Sequence, residues 1–244
     1  ANVPYGSRTA DDVLALTQTA VEHLFRSGCK LVLLGCNTAT AVAARHMQQT
    51  WLPTTDWRAQ GHNVLGIIAP TVEAATQTPW AVTTPQYPQK YNSDRIVVFG
   101  TERTIASGVY PEEIGKRCPR VTVQQIVIPD LVAAIESKAG DAACQQIVNR
   151  VCAEVRGADR AILGCTHFPL VDHLFRAALP GNTRILSQPT IVADSLEDYL
   201  ARHAEVGGEA NGGGPPRLLT TGAPGPVTEL ARVLWSSAPD FTPA

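Results

Sequence analysis

Two stretches of this chain end an apolar run on a glycine and a cysteine: Leu31-Val32-Leu33-Leu34-Gly35-Cys36 and Ala161-Ile162-Leu163-Gly164-Cys165. A short apolar run closed by glycine reads as a strand buried in a sheet. Small polar residues follow each cysteine, Asn37-Thr38-Ala39-Thr40 in one copy and Thr166-His167 before Phe168-Pro169-Leu170 in the other. They read as helix openings. Each copy therefore sets a thiol at the carboxyl end of a buried strand, where open α/β sheets gather their ligands. Two thiols in matching positions of two similar units can face one substrate from opposite sides.

The rest of the chain fits that plan. Thr9 reads as an N-cap, with Asp11 and Asp12 in the first helical turn. Val13, Leu16, Ala20, Val21 and Leu24 share one face at helical spacing, and Gly28 reads as the stop. Thr38 to Trp51 reads as a crossover helix and Val64 to Ile68 as a strand. Thr76 to Asp94 is rich in Thr, Pro, Gln and Tyr and lacks periodicity, which suits a crossing between domains. Strands are expected at 96–99, 121–127, 161–163 and 184–186, with helices over 131–135, 141–155, 171–178 and 191–200. After a flexible segment, His203 to Pro216, a late strand at 217–221 and a helix at 227–234 are expected to return to the first unit. Strands alternating with helices imply parallel βαβ units. The division is 1–75 with 186–244 as one unit, 94–185 as the other, and 76–93 between them.

The net charge of −2 gives no electrostatic case for a nucleic-acid or anionic-membrane partner. No apolar run approaches the ~18–20 residues of a membrane span, and no basic-then-apolar leader opens the chain. Six cysteines scattered over 244 residues read as reduced thiols of a cytoplasmic protein.

Abstracting the α-proton of an amino acid without a cofactor needs a base on each face of that carbon, the two in opposite protonation states. A thiolate suits the task, because its pKa drops at a helix start or beside a cation. Cys36 and Cys165 are the candidates, and Asn37, Thr38, Thr166 and His167 supply partners for carboxylate and ammonium groups. A Gly-Cys pair at a strand end is also an ordinary buried residue, and the repetition is what favours chemistry. Cys29, Cys118, Cys144 and Cys152 lack that setting and read as structural. The histidines at 23, 46, 62, 173 and 203 read as solvated or capping. Cys36, Cys165 and His167 could instead hold zinc, although the Cys-Thr-His spacing is tight for that. Neither glycine cluster matches a nucleotide loop.

Val3-Pro4-Tyr5-Gly6-Ser7, Gly35-Cys36-Asn37-Thr38-Ala39, Gly100-Thr101 with Thr104 and Ser107, Gly164-Cys165-Thr166-His167 and Thr220-Thr221-Gly222 together resemble the glutamate racemase family, in that family's order. The resemblance implies an α/β fold of two pseudo-symmetric domains, with mainly parallel sheets flanked by helices and the active site in the interdomain cleft. It implies cofactor-independent interconversion of L- and D-glutamate, supplying D-glutamate for peptidoglycan. Cys36 and Cys165 match the two catalytic cysteines, and His167 and Glu136 match groups that assist the second thiol. Tyr5, Gly6, Asn37, Thr38, Thr166 and His167 match substrate-contacting positions. Glu136 follows the family pattern only loosely, and a surface glutamate is the equal alternative. Ser187-Gln188-Pro189 stands where the family carries an Asp/Ser-Gly-rich turn. A homodimer is common in the family.

The family pattern also carries a strand running into Asp-Ser-Gly, then a helix and a strand, ahead of the Pro-Tyr-Gly segment where the given sequence opens. A form without them is expected to be unstable or almost inactive. The rival readings are racemisation or isomerisation of aspartate or maleate, and a binding or regulatory relative without turnover.

Overall fold

A computed structural model describes residues 5–91, 93–137, 140–206 and 216–244. Val3 and Pro4 of the first motif, and the glycine-rich stretch 207–215, lie outside the described residues.

Helix α1 (Ala10–Arg26) starts as its sequence implies: the Thr9 hydroxyl accepts from the Asp12 N–H at 3.1 Å. Its buried face differs from the expected one. Val13, Thr17, Val21 and Phe25 point inward and Ala20 outward. Thr17 tolerates burial because its hydroxyl donates to the Val13 carbonyl at 2.6 Å, which satisfies the polar atom within the helix.

Strand β1 (Leu31–Leu34) pairs in parallel with β2 (Asn63–Gly66), from Leu31 opposite Asn63 to Leu34 opposite Gly66. Between them α2 (Asn37–Ala39) widens into π-helical turns over Thr40–Ala44 and Met47–Trp51. A short helix, α3 (Asp56–Ala59), interrupts the following loop. The expected strand through Ile68 ends earlier, because α4 (Ile68–Thr76) begins there with Pro70 in its first turn, where a missing N–H costs nothing.

The second sheet is four-stranded and wholly parallel. Its spatial order is β4 (Thr122–Val127), β3 (Arg95–Gly100), β5 (Arg160–Gly164) and β6 (Arg184–Leu186). The helices connecting or following these strands are α5 (Glu102–Ala106), α6 (Val109–Arg117), α7 (Leu131–Glu136), α8 (Gly140–Cys152), α9 (Asp172–Ala178) and α10 (Gln188–Arg202). Side chains of β3 alternate between two cores. Val97 and Phe99 join Leu131, Val148 and Phe175 on one face, whereas Ile96 and Val98 join Val72, Tyr110 and Ile114 on the other. Burial on both faces is what a parallel sheet requires. Helix α4 follows the first sheet yet packs against the second, so it belongs to the junction.

The segment 77–94 is held by two buried arginines. The Arg117 guanidinium lies 4.4 Å from the centre of the Trp80 ring, and that of Arg160 lies 3.7 Å from the Tyr91 ring. Arg160 also donates to Asp94 at 2.8 Å. Near the C-terminus, β7 (Leu219–Thr220) pairs in parallel with β8 (Thr242–Pro243) around helix α11 (Pro224–Leu234). No described helix is long and apolar enough to cross a membrane.

Candidate active site

The second thiol is placed by a close approach of two strands. A side chain at Gly164 would bring its Cβ within 2.8 Å of the Phe99 carbonyl, so only glycine lets β5 lie this near β3. Cys165 follows directly and is 7% exposed, at the edge of the core containing Phe168 and Phe175. Its sulfur lies 3.9 Å from Nδ1 of His167, and Nε2 of that ring lies 2.9 Å from Oε1 of Glu136. Glu136 reaches His167 from the last residue of α7. Burial pushes the Cys165 thiol up to about 11. Negative charge at Cys36 and Glu136 adds to the rise, and the backbone N–H groups of His167 and Phe168 oppose it. At neutral pH Cys165 is therefore a protonated thiol.

The first thiol ends β1. Cys36 is half-buried and extended, and its carbonyl accepts from the Thr40 N–H at 2.9 Å. Behind it Asn37 and Thr38 are buried. The Thr38 hydroxyl lies 3.0 Å from those of both Thr101 and Thr104, which are 3.1 Å apart, so three threonines fasten α2 to the turn before α5. Tyr5 and Gly6 belong to a turn docked on the same place. The Arg103 N–H donates to the Gly6 carbonyl at 3.2 Å, and a Cβ on Gly6 would lie 3.0 Å from that of Thr101. Burial raises the Tyr5 phenol, the charge of Cys36 raises it further, and Arg8 opposes. Cys36 thus lies within electrostatic reach of both Tyr5 and Cys165. Thr166 stands apart from these contacts, exposed on the turn after the second thiol.

Asn37 carries more than its sequence position suggests. Its Nδ2 donates to Oε1 of Gln188 at 2.6 Å, and its Oδ1 accepts from the Tyr110 hydroxyl at 2.7 Å. Gln188 Nε2 in turn lies 2.9 Å from the Thr71 hydroxyl and 3.2 Å from that of Tyr110. In the sequence Gln188 stands out only as a departure from the family pattern, and Tyr110 and Thr71 carry no local signal because their partnership with Asn37 spans distant parts of the chain.

Cys118, Cys144 and Cys152 are buried free thiols, each raised chiefly by burial. Among the described residues no three His, Cys, Asp or Glu side chains gather as a metal site, which leaves the zinc alternative without a ligand set. A cavity of about 780 Å³ lies at the amino ends of β3 and β4, between Arg95, Thr122, Gln124 and Arg156, away from both thiols.

With that geometry in view, residues 2–195 match the model of the Asp/Glu/hydantoin racemase family. The glutamate racemase of Caulobacter sp. (strain K31) is 44% identical over 252 residues, covering 100% of this chain and 88% of that protein. The glutamate racemase of Phenylobacterium zucineum (strain HLK1) is 41% identical with the same coverage. In fold, the chain superposes on a glutamate racemase from Bacillus anthracis with a TM-score of 0.83 at 24% identity, over 100% of this chain and 84% of that one. A glutamate racemase from Francisella tularensis, solved in complex with D-glutamate, gives 0.76 at 18% identity over 99% and 82%.

Proposed function

This chain belongs to the Asp/Glu/hydantoin racemase family and is an isomerase, and from that premise we propose that it interconverts L- and D-glutamate without a cofactor. In this reading the Cys36 thiolate removes the α-proton from one face while the Cys165 thiol delivers a proton to the other. The products of that step are a Cys36 thiol, the inverted amino acid and a Cys165 thiolate. The reverse reaction exchanges the two roles.

The observation that carries the reading is the contact series Glu136–His167–Cys165. A thiol raised to about 11 holds its proton at neutral pH but is a weak acid, and its thiolate is poorly stabilised. Its conjugate thiolate needs help, and an imidazole ring held by a carboxylate supplies it. Glu136 favours a proton on Nε2, and an imidazolium would present Nδ1–H to the sulfur. Burial, with a smaller contribution from charge at Cys36, keeps Cys165 protonated, which supports its part as the proton donor.

Glutamate as substrate is supported by the names of the relatives at 41–44% identity. Tyr5, Gly6, Asn37, Thr38, Thr166 and His167 would bind its polar groups, and the D-glutamate formed would supply peptidoglycan. The proposal keeps residues 1–75 with 186–244 as one unit and 94–185 as the other, joined through 76–93. The separate β1–β2 and four-stranded sheets support two units, whereas Leu186 in β6 and Ile191 on α10 pack with the second sheet and β7–β8 forms a sheet of its own.

The deciding experiment is deuterium wash-in at Cα in heavy water, with each enantiomer of glutamate, aspartate as the competing substrate and maleate tested separately for isomerisation. Exchange and inversion with glutamate are expected. Glutamate binding without exchange, or turnover of aspartate or maleate alone, overturns the reading.

A further inference from the structure

We propose that Gln188 is a positioning residue that fixes the polarity of the Asn37 carboxamide beside Cys36, and thereby reserves an N–H donor for a carboxylate of the substrate. The inference rests on the reading above.

The direction of each hydrogen bond in this buried group can be followed from one end. The Thr71 hydroxyl donates to the Ile67 carbonyl at 2.7 Å, so its proton is committed and it can only accept from Gln188. Gln188 must therefore present its NH2 to Thr71, at 2.9 Å, and its carbonyl oxygen to Asn37. Facing an acceptor, Asn37 must offer Nδ2, which places its own Oδ1 against the Tyr110 hydroxyl at 2.7 Å. Burial raises the Tyr110 phenol far above its ordinary value, so this oxygen keeps its proton and donates.

The amide of Asn37 is thus locked in one of its two orientations. Its Oδ1 accepts from Tyr110 and faces the Gln188 NH2 at 3.1 Å. One Nδ2 proton goes to Gln188, and the second has no partner among the described residues. Without Gln188 a carboxamide can rotate by half a turn and present a carbonyl, which repels a carboxylate. Gln188 is only 2% exposed and opens α10 directly after β6. It therefore acts from the second sheet upon the helix that follows the first thiol. It acts through Asn37 and has no role in moving the proton.

A mutant cycle tests this. Gln188→Met keeps length and removes both amide functions. It is expected to raise KM for glutamate about tenfold, the worth of roughly one hydrogen bond, with kcat within about twofold. In the Asn37→Ala background the same change should move KM by less than about twofold, because its route of action is gone. Thr71→Val removes the acceptor that orients Gln188 without touching Asn37. It should raise KM in the same way and be non-additive with Gln188→Met, and it carries the test alone if the Met variant does not fold. Multiplicative effects in the cycle, or a wild-type KM in Thr71→Val, overturn the inference. Because a wild-type protein that binds glutamate without exchange would sink the catalytic reading alone, the cycle is repeated on glutamate affinity by calorimetry, where the same coupling is expected.

Discussion

Nε2 of His167 stands 2.9 Å from Oε1 of Glu136, while the other nitrogen of the ring faces the Cys165 sulfur at 3.9 Å. A glutamate that sequence left equally well as surface decoration is thus tied to the second thiol. Glu136→Gln keeps its size and removes its charge. We expect kcat/KM to fall about a hundredfold, the scale of an assisted proton transfer. The fall must be equal for both enantiomers, because their equilibrium constant is unity. The pair is partly solvated, so thermal unfolding should barely shift. A racemisation assay in both directions and a melting curve check this, and unchanged kcat/KM would return Glu136 to the surface.

The six cysteines should separate by function. Cys36→Ser and Cys165→Ser are expected to lose racemisation, since a serine hydroxyl is far too weak an acid for either role. Cys144→Ser should retain it, at a stability cost of about 1 kcal/mol for a hydroxyl placed in an apolar core. Cys144 is 3% exposed on α8. Turnover by either of the first two variants would refute the paired-thiol reading.

Stability should fall in alkali. Burial raises Cys152 and Cys165 from 9.0 to about 11. Between those values the unfolded chain has released protons that the folded chain retains, so rising pH favours unfolding. The stability is whole below about pH 9 and is lost as pH climbs through 11. Urea unfolding followed from pH 8 to 11 should show the decline, and Cys152→Ala should make it shallower.

Acid should find a different weak point. Burial alone would raise the Glu113 carboxyl, yet hydrogen bonds from Lys116, Arg117 and Arg45 hold it below its ordinary 4.5. Its contribution is therefore present above that pH and fades as pH drops through the folded value. Glu113→Gln leaves the Arg117 guanidinium, 1% exposed, without its buried counter-charge. The expected cost is about 3 kcal/mol at neutral pH, with a smaller loss on acidification than in the wild type. Chemical denaturation at pH 7 and pH 4 would measure both.

The sequence displayed the parts of the site that are local. Gly-Cys after an apolar run, the polar residues behind each thiol and the Thr9 cap need only neighbours along the chain. Interactions between distant segments were hidden. Gln188 lies 151 positions from Asn37, and no pattern in either stretch announces the other. Helix α6 has little signal in the sequence because Pro111, Glu112 and Glu113 look like surface, whereas the helix buries Tyr110, Glu113, Ile114 and Arg117. The face of α1 differs from the hydrophobic pattern for a related reason: a threonine satisfied by its own backbone can occupy an inward position that hydrophobicity alone would assign elsewhere.

The two thiols hang from different sheets, and the helix following Cys36 meets the second sheet through a threonine triangle and one glutamine. The gap between the sulfurs is consequently a property of how the halves are seated, not of either half. In the proposed mechanism, changes along α4 or at the start of α10 would widen or narrow the room for a substrate without altering either thiol. Selectivity and reactivity can then evolve on separate parts of the molecule.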